Sequence, residues 1–224
     1  MPSLYLTRLN GSQRDDLVNT LHKSQNGKCF ICDNDIDLVL HKDTIDIDHV
    51  IPIKMNGPDN PSKFALTHSS CNRSKQASDL NVARILARFD MLKNSVLKDN
   101  RGVNLNDILR LHGGSQFDFQ ARLENDEIKY SLPENGHVAI QTQRVYTDQI
   151  SKFKYFFAVL PIQYLHHDDK INPRTIGSNI SKLIQEFYQK KPQLHIQLAW
   201  LNLQDEKKQI KVFDGQHKAT AQIM

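Results

Sequence analysis

Cysteine and tryptophan are scarce in this chain: three Cys and one Trp in 224 residues. So few cysteines, and an odd number of them, exclude a disulfide framework as the main source of stability. Long apolar runs are missing as well, and none approaches the roughly 20 residues of a membrane span. Met1 to Asp16 has no apolar stretch of the signal-peptide kind. There is no internal repeat and no low-complexity tract. Nor does one sign of charge dominate, since 29 Lys and Arg against 25 Asp and Glu leave a net charge of +4. Such a balance is compatible with nucleic-acid binding but does not establish it. Hydrophobic residues make up 39% of the chain, enough for a real core in one or two domains.

The cysteines that are present all fall in one segment. Cys29-x2-Cys32 and His68-x2-Cys71 form two paired knuckles, which together offer the tetrahedral Cys3His shell of a structural zinc. Thiolate and imidazole suit zinc far better than magnesium or calcium. The competing reading, one buried disulfide with a spare thiol, fits poorly with the odd count and the missing export segment. Thiolates used for metal rather than for disulfides imply a reducing compartment, hence the cytoplasm.

Chemistry lies between the knuckles. In Thr44 to Ile53, Ile45, Ile47 and Ile51 alternate with Asp46 and Asp48, a period-two pattern that predicts a strand closed by Pro52. His49 follows Asp48 directly, so the two side chains leave opposite faces unless the strand bulges. Asp46 shares the face of Asp48 and is expected to be exposed. Beyond the second knuckle, Ser69 or Ser70 can cap a helix with Asn72 in its first turn. Asn72 and Lys75 share a face of that helix, and a helix start aimed at a strand end can hold a cation and a phosphate. Taken singly, His49 reads as readily as part of a surface hydrogen-bonded pair, and Asn72 as a helix cap. Jointly they point to metal-assisted cleavage of a phosphodiester.

The order Cys-x2-Cys, Asp48-His-Val-Ile-Pro52, Gly57-Pro-Asp-Asn-Pro-Ser62, then x2-Cys71-Asn-x2-Lys75 resembles the HNH endonucleases with a ββα-metal core, over about residues 12–80. The resemblance implies that His49 is the general base, that Asp48 and Asn72 hold one Mg²⁺ or Mn²⁺ through oxygen, and that Lys75 sits near the scissile phosphate. An imidazole near neutrality can take a proton from water, and a hard cation can stabilise the developing phosphate charge. One position departs from the pattern. Where many relatives carry an Asn that orients the histidine, this chain has Lys63, with Asn60 three residues earlier as a substitute.

Flanking elements are also legible. Ser12 with Asp15 predicts the start of a helix that carries Leu17, Val18 and Leu21 and ends at Asn26-Gly27. Asp79 starts a longer helix with Val82, Ile85, Leu86, Phe89, Leu92 and Val96 on its core side. Arg84 and Arg88 lie on another face, where they are solvated or meet a DNA backbone. Asp99 to Gly102 is the first boundary, and Asn104 to Leu111 a short helix. Phe117–Leu123 and Ile128–Leu132 predict a hairpin across Glu124–Glu127, and Pro133 to Gly136 a turn before a strand from His137 to Tyr146. Ala158–Tyr164, Leu194–Leu203 and Ile210–Phe213 read as strands, with a helix on Ile180, Leu183, Ile184 and Phe187 between the first two.

The last strand runs into Asp214-Gly-Gln-His-Lys218, a tight glycine turn that can cradle an anion. The order over residues 156–224 resembles the ParB/sulfiredoxin-like fold, and the box resembles the DGQHR-type proteins of DNA phosphorothioation and related phage-defence systems, with Lys218 where an Arg is usual. By that resemblance Arg174, Gly215, Gln216, His217 and Lys218 contact a phosphate-bearing ligand, a nucleotide or DNA. The plainer reading is that Asp214 and Gly215 only make the turn and His217 caps the helix. The sequence stops at Met224, barely two turns into the helix, so an incomplete domain is expected, either a fragment or a reduced version of the fold.

The expected architecture is therefore α+β: a zinc-stapled HNH domain at 1–100, a connecting region with a short helix and hairpin at 101–150, and a ParB-like segment at 151–224. The expected activity is metal-dependent hydrolysis of DNA in defence against foreign DNA, without a membrane partner. The alternative is a zinc-stabilised DNA-binding regulator with little or no turnover, which Lys63 favours.

Overall fold

Ile45–His49 and Phe64–His68 form strands β1 and β2, antiparallel in a two-stranded sheet with Ile47 opposite Leu66 and His49 opposite Phe64. The computed structural model describes residues 3–76, 78–134, 137–168, 170–190 and 196–224. It mixes helices with several small sheets, an α+β arrangement. It divides into two compact units, Met1–Asp99 and Asn100–Met224. No helix among the described residues is long and apolar enough to cross a membrane.

In the first unit, α1 (Leu4–Arg8) and α2 (Gly11–Ser24) precede the sheet. The cap of α2 is Asn10, whose side chain accepts from Gln13 while Gln13 reaches back to the Asn10 amide. This reciprocal box starts the helix ahead of the Ser12 cap expected from sequence. At its other end, Gln25 extends β2 with its side chain: its amide oxygen accepts from Leu66 N at 2.7 Å and its Nε2 donates to Leu66 O at 2.9 Å.

Alternation along the strands gives the sheet two different faces. Ile47, Phe64 and Leu66 belong to a core with Leu21, Cys29, Ile31, Ile36 and Ala83. Asp46 and Asp48 leave the other face, toward helix α3 (Ser69–Lys75). That helix begins at His68 rather than at a serine cap, and His68 makes no side-chain capping bond. Strand β1 stops at His49, so Ile51 is exposed instead of continuing the apolar stripe. Helix α4 (Leu80–Leu97) is capped by Asp79 and buries Val82, Ala83, Phe89 and Val96. Arg84 is not a solvated cation. Its Nε and Nη2 donate to Phe30 O at 3.1 and 2.9 Å, and its guanidinium lies over the Phe30 ring.

The second unit starts with α5 (Leu105–Leu111), where Asn104 and Asp107 form a capping box and Arg101 grips Asp107 with two nitrogens at 2.7 and 2.8 Å. Strands β3 (Ala121–Glu124), β4 (Glu127–Glu134) and β5 (His137–Arg144) form a meander. Its first turn is Asn125-Asp126, both at positive φ, the two-residue geometry that matches strand twist. The expected turn at Pro133–Gly136 falls partly outside the described residues. A short ribbon, β6 (Tyr146–Thr147) with β7 (Lys154–Tyr155), follows.

Next come β8 (Leu165–His167), α6 (Ile180–Tyr188), β9 (Leu198–Trp200), β10 (Ile210–Asp214) and α7 (Gln216–Ile223). Strand β10 is central, parallel to β8 and antiparallel to β9. Two expectations change here. The strand lies at 165–167, after a turn at Ile162–Tyr164, because Pro161 opens a 3-10 turn instead of extending. The strand expected over 194–203 is confined to Leu198–Trp200, its first residues lying outside the described set. The expected connecting region also shares a core with the last segment, since Phe119, Ile128, Tyr130 and Val145 pack with Tyr164 and Ile210.

Candidate metal centre and histidine site

The first knuckle is a tight hairpin in which Cys29 N donates to Asn34 O at 2.8 Å and Asp33, at positive φ, donates back to Cys29 O at 3.0 Å. Main-chain bonds thus aim Cys29 and Cys32 before any ion arrives. The second knuckle joins the end of β2 to the first turn of α3, which places His68 and Cys71 beside them. Ligand atoms of Cys29, Cys32, His68 and Cys71 all lie within 4.8 Å of one another. His68 Nδ1 is 3.5 Å from Cys32 Sγ, and Cys29 Sγ also accepts from His68 N at 3.4 Å.

Crowding sets the charge state of these sulfurs. Bonds from the Cys32 and Cys71 thiols push the Cys29 thiol far down, while the same contacts push Cys32 and Cys71 up. Only one of three adjacent sulfurs can hold negative charge cheaply on its own. A divalent cation among them lets all three ionise, and the soft donor set with one imidazole fits zinc.

His49 lies at the other end of the sheet. Register places His49 and His68 at opposite ends of the same face. The His49 ring, buried, meets Phe64 edge-on at 4.7 Å between centroids. Its Nε2 is 2.9 Å from Asp59 Oδ1. Asp59 Oδ1 also accepts from Ser3 Oγ at 2.5 Å, and Oδ2 accepts from Tyr5 N at 2.9 Å. The Ser3 hydroxyl, then the Tyr5 amide and the neighbouring His49 lower the Asp59 carboxyl to about 2. Asp59 is therefore a carboxylate near neutral pH.

On the opposite face, α3 is clamped to β1 twice. Asn72 Nδ2 donates to Asp46 Oδ2 at 3.0 Å, and Lys75 Nζ donates to Asp48 Oδ2 at 2.6 Å. Asp46, expected to be exposed, is half-buried and sets the direction of the Asn72 amide. Asp48 Oδ1 and Asn72 Oδ1 keep no hydrogen-bond partner among the described residues. These are hard oxygen donors of the kind magnesium or manganese takes. Lys75 reaches inward, with a second bond to His49 O at 2.6 Å and a side chain that is wholly buried. It neutralises Asp48 and pins the strand end, whereas the family resemblance places it near a phosphate.

Neither residue considered for orienting His49 does so. Asn60 accepts from Ser62 N and caps a turn, while Lys63 is exposed and its carbonyl accepts from Val50 N at 3.0 Å. The residue in contact is Asp59, in the Gly57-Pro-Asp-Asn loop. The signal was present, an acidic residue in a tight loop just after the histidine, but only the fold shows how that loop returns.

In the second unit, residues 172–177 are laced to the start of α7. Asn172 Nδ2 donates to Phe213 O and Gln216 Nε2 donates to Asn172 O, both at 2.7 Å. Gly177 N donates to His217 Nε2 at 2.8 Å. Gly215, the N-cap of α7, has φ +76°, which a side chain would strain. Burial, then the Arg174 charge, holds His217 below the usual imidazole value, so its ring is a neutral acceptor. Gln216 is buried, Arg174 exposed and Lys218 half-buried.

Comparison with known proteins bears on the first unit. The family model described as HNH endonuclease matches residues 29–78, so this segment carries an HNH endonuclease domain. The matched span takes in both knuckles, β1, β2 and α3. It supports a nuclease of the hydrolase class. No curated protein matches the chain.

Proposed function

We propose that the first unit is a metal-dependent DNA endonuclease in which His49 is the general base. The observation that carries this reading is the HNH match laid over one strand–strand–helix unit that contains His49, Asp48 and Asn72. Nε2 of His49 faces a carboxylate, so Nδ1 is the nitrogen able to take a proton from water. Asp48 and Asn72 would hold Mg²⁺ or Mn²⁺ through oxygen. Bound there, the cation supplies positive charge for the phosphate oxygens and the leaving group. Asp46 holds the Asn72 amide nitrogen, which leaves the amide oxygen for the cation, and Lys75 holds Asp48 at the strand end. The zinc at Cys29, Cys32, His68 and Cys71 is structural, because four protein ligands leave no open position.

The second unit, in this reading, is a ParB-like segment whose Arg174, Gly215, Gln216, His217 and Lys218 meet a phosphate-bearing ligand, a nucleotide or DNA. Exposed Arg174, whose charge reaches His217, supports it. The biological setting is defence of a cytoplasm against foreign DNA, by family analogy.

Plasmid cleavage with Mg²⁺ or Mn²⁺, comparing wild type with His49→Ala, tests the activity. Cutting by the wild type and its loss in the variant, with DNA binding kept, is the expected result. Equal cutting by both would remove His49 from the mechanism. Binding without cutting by the wild type would favour a DNA-binding regulator, for which the Lys75–Asp48 ion pair is the supporting feature, since a cation at Asp48 must share its carboxylate.

A further inference from the structure

Asp59 plays no part in the metal-ligand sets, yet it makes the only polar side-chain contact of His49 among the described residues. A carboxylate can only accept, so the proton between the two groups sits on Nε2 and the lone pair on Nδ1. How firmly this holds depends on whether Asp59 can turn. Both of its oxygens are engaged from the N-terminal segment, Oδ1 by the Ser3 hydroxyl and Oδ2 by the Tyr5 amide in the first turn of α1. Ser3 Oγ in turn accepts from Leu6 N at 3.0 Å, which directs the hydroxyl proton to Asp59. Tyr5 packs edge-on to Phe64 at 5.6 Å, and Phe64 packs on the His49 ring. The loop from His49 to Asp59 closes only because Gly57 lacks a side chain, since a Cβ there would lie 1.8 Å from Ile51 O.

We infer that Asp59 is a positioning residue that fixes the Nε2–H tautomer of His49, and that Ser3 and Tyr5 complete the site by locking Asp59. The inference rests on reading His49 as the base, but its tautomer can be measured without any cleavage. Helix α1, which otherwise looks like a peripheral end of the chain, thereby becomes part of the nuclease machinery.

The test is ¹⁵N-histidine NMR on the zinc-loaded full chain near neutral pH, with His49 assigned by loss of its signals in His49→Gln. Wild type should show protonated Nε2 and unprotonated Nδ1. Asp59→Ala and Asp59→Asn should populate both tautomers, because alanine offers no acceptor and an amide offers donor and acceptor alike. In cleavage, kcat should fall roughly 10–100-fold, as for other groups that orient a reacting imidazole, with KM for DNA unchanged. Ser3→Ala should lower kcat by roughly 3–10-fold, about one neutral hydrogen bond. If Asp59→Ala fails to fold, Asp59→Asn and Ser3→Ala carry the test. An Nδ1–H tautomer in wild type, or an unchanged tautomer in folded Asp59 variants, overturns the inference. A wild type that cuts no DNA but shows the expected tautomer and its loss refutes the nuclease reading and leaves Asp59 in its role.

Discussion

Lys75 donates to Asp48 Oδ2 and to the His49 carbonyl, both at 2.6 Å, from a side chain that is fully enclosed. One ammonium thus ties the last turn of α3 to the end of β1 and holds in place both residues on which the proposed chemistry depends. With Asn72 on Asp46 one turn earlier, a helix spacing of three is matched to a strand spacing of two.

Replacing Lys75 by methionine leaves the Asp48 carboxylate, itself little exposed, without its counter-charge. Breaking such a pair from one side typically costs about 3–5 kcal/mol. Chemical denaturation of the zinc-loaded protein should show the first unit destabilised on that scale. An unchanged midpoint with weakened DNA binding would instead mean that Lys75 turns outward to a phosphate.

Elemental analysis should find one zinc per chain, held by the ligand set that converges within 4.8 Å. Metal binding at such a site is folding free energy, on the order of 10 kcal/mol at neutral pH. Chelation or Cys71→Ser should therefore unfold residues 1–99 while the second unit keeps its circular dichroism. A metal-free first unit with native stability would contradict a structural zinc.

Asp46→Ala removes the partner of the Asn72 amide without touching a donor oxygen. The amide can then turn, and loss of such an orienting bond typically costs about 10–100-fold in metal affinity. The Mg²⁺ dependence of cleavage should shift to higher concentration by that factor, with zinc content unchanged. Identical Mg²⁺ curves would show that Asp46 does not orient a ligand.

His217 supplies a pH dependence in the second unit. Burial, then Arg174, lowers its pKa in the folded state, and the neutral ring accepts from Gly177 N. A histidine with a depressed folded value favours folding above its unfolded pKa of about 6.5. That contribution is lost as the pH falls through the folded value. Wild type should exceed His217→Ala in stability at pH 7.5, and the gap should narrow as the pH falls well below 6.5. A gap that stays constant down to the acid limit of folding would sever the link between His217 and the loop.

Much of the first unit could be read from residue order because its signals are local. The knuckle spacing brings Cys29 with Cys32 and His68 with Cys71 through main-chain turns, and alternation in Ile45–His49 reports a two-faced strand. The hairpin at Asn125-Asp126 is legible for the same reason, since two turn residues decide it. Capping was less secure. Asn10 and Ser12 are both good caps, and which one starts α2 depends on whether Gln13 can reach back.

Residue types and spacing by themselves determined the donor chemistry, soft at the knuckles and hard beside the histidine, and with it the class of reaction the first unit can support. Only the tertiary structure decided which partner each charged group takes. Asp59 meets His49 because a glycine lets the intervening loop pass within contact of Ile51 O, and Ser3 meets Asp59 across more than fifty positions of chain. Lys75 turns inward because Asp48 and a carbonyl offer more to a buried ammonium than a surface would. A charge in a sequence has no direction. It acquires one when the fold removes it from water and leaves a single group able to compensate.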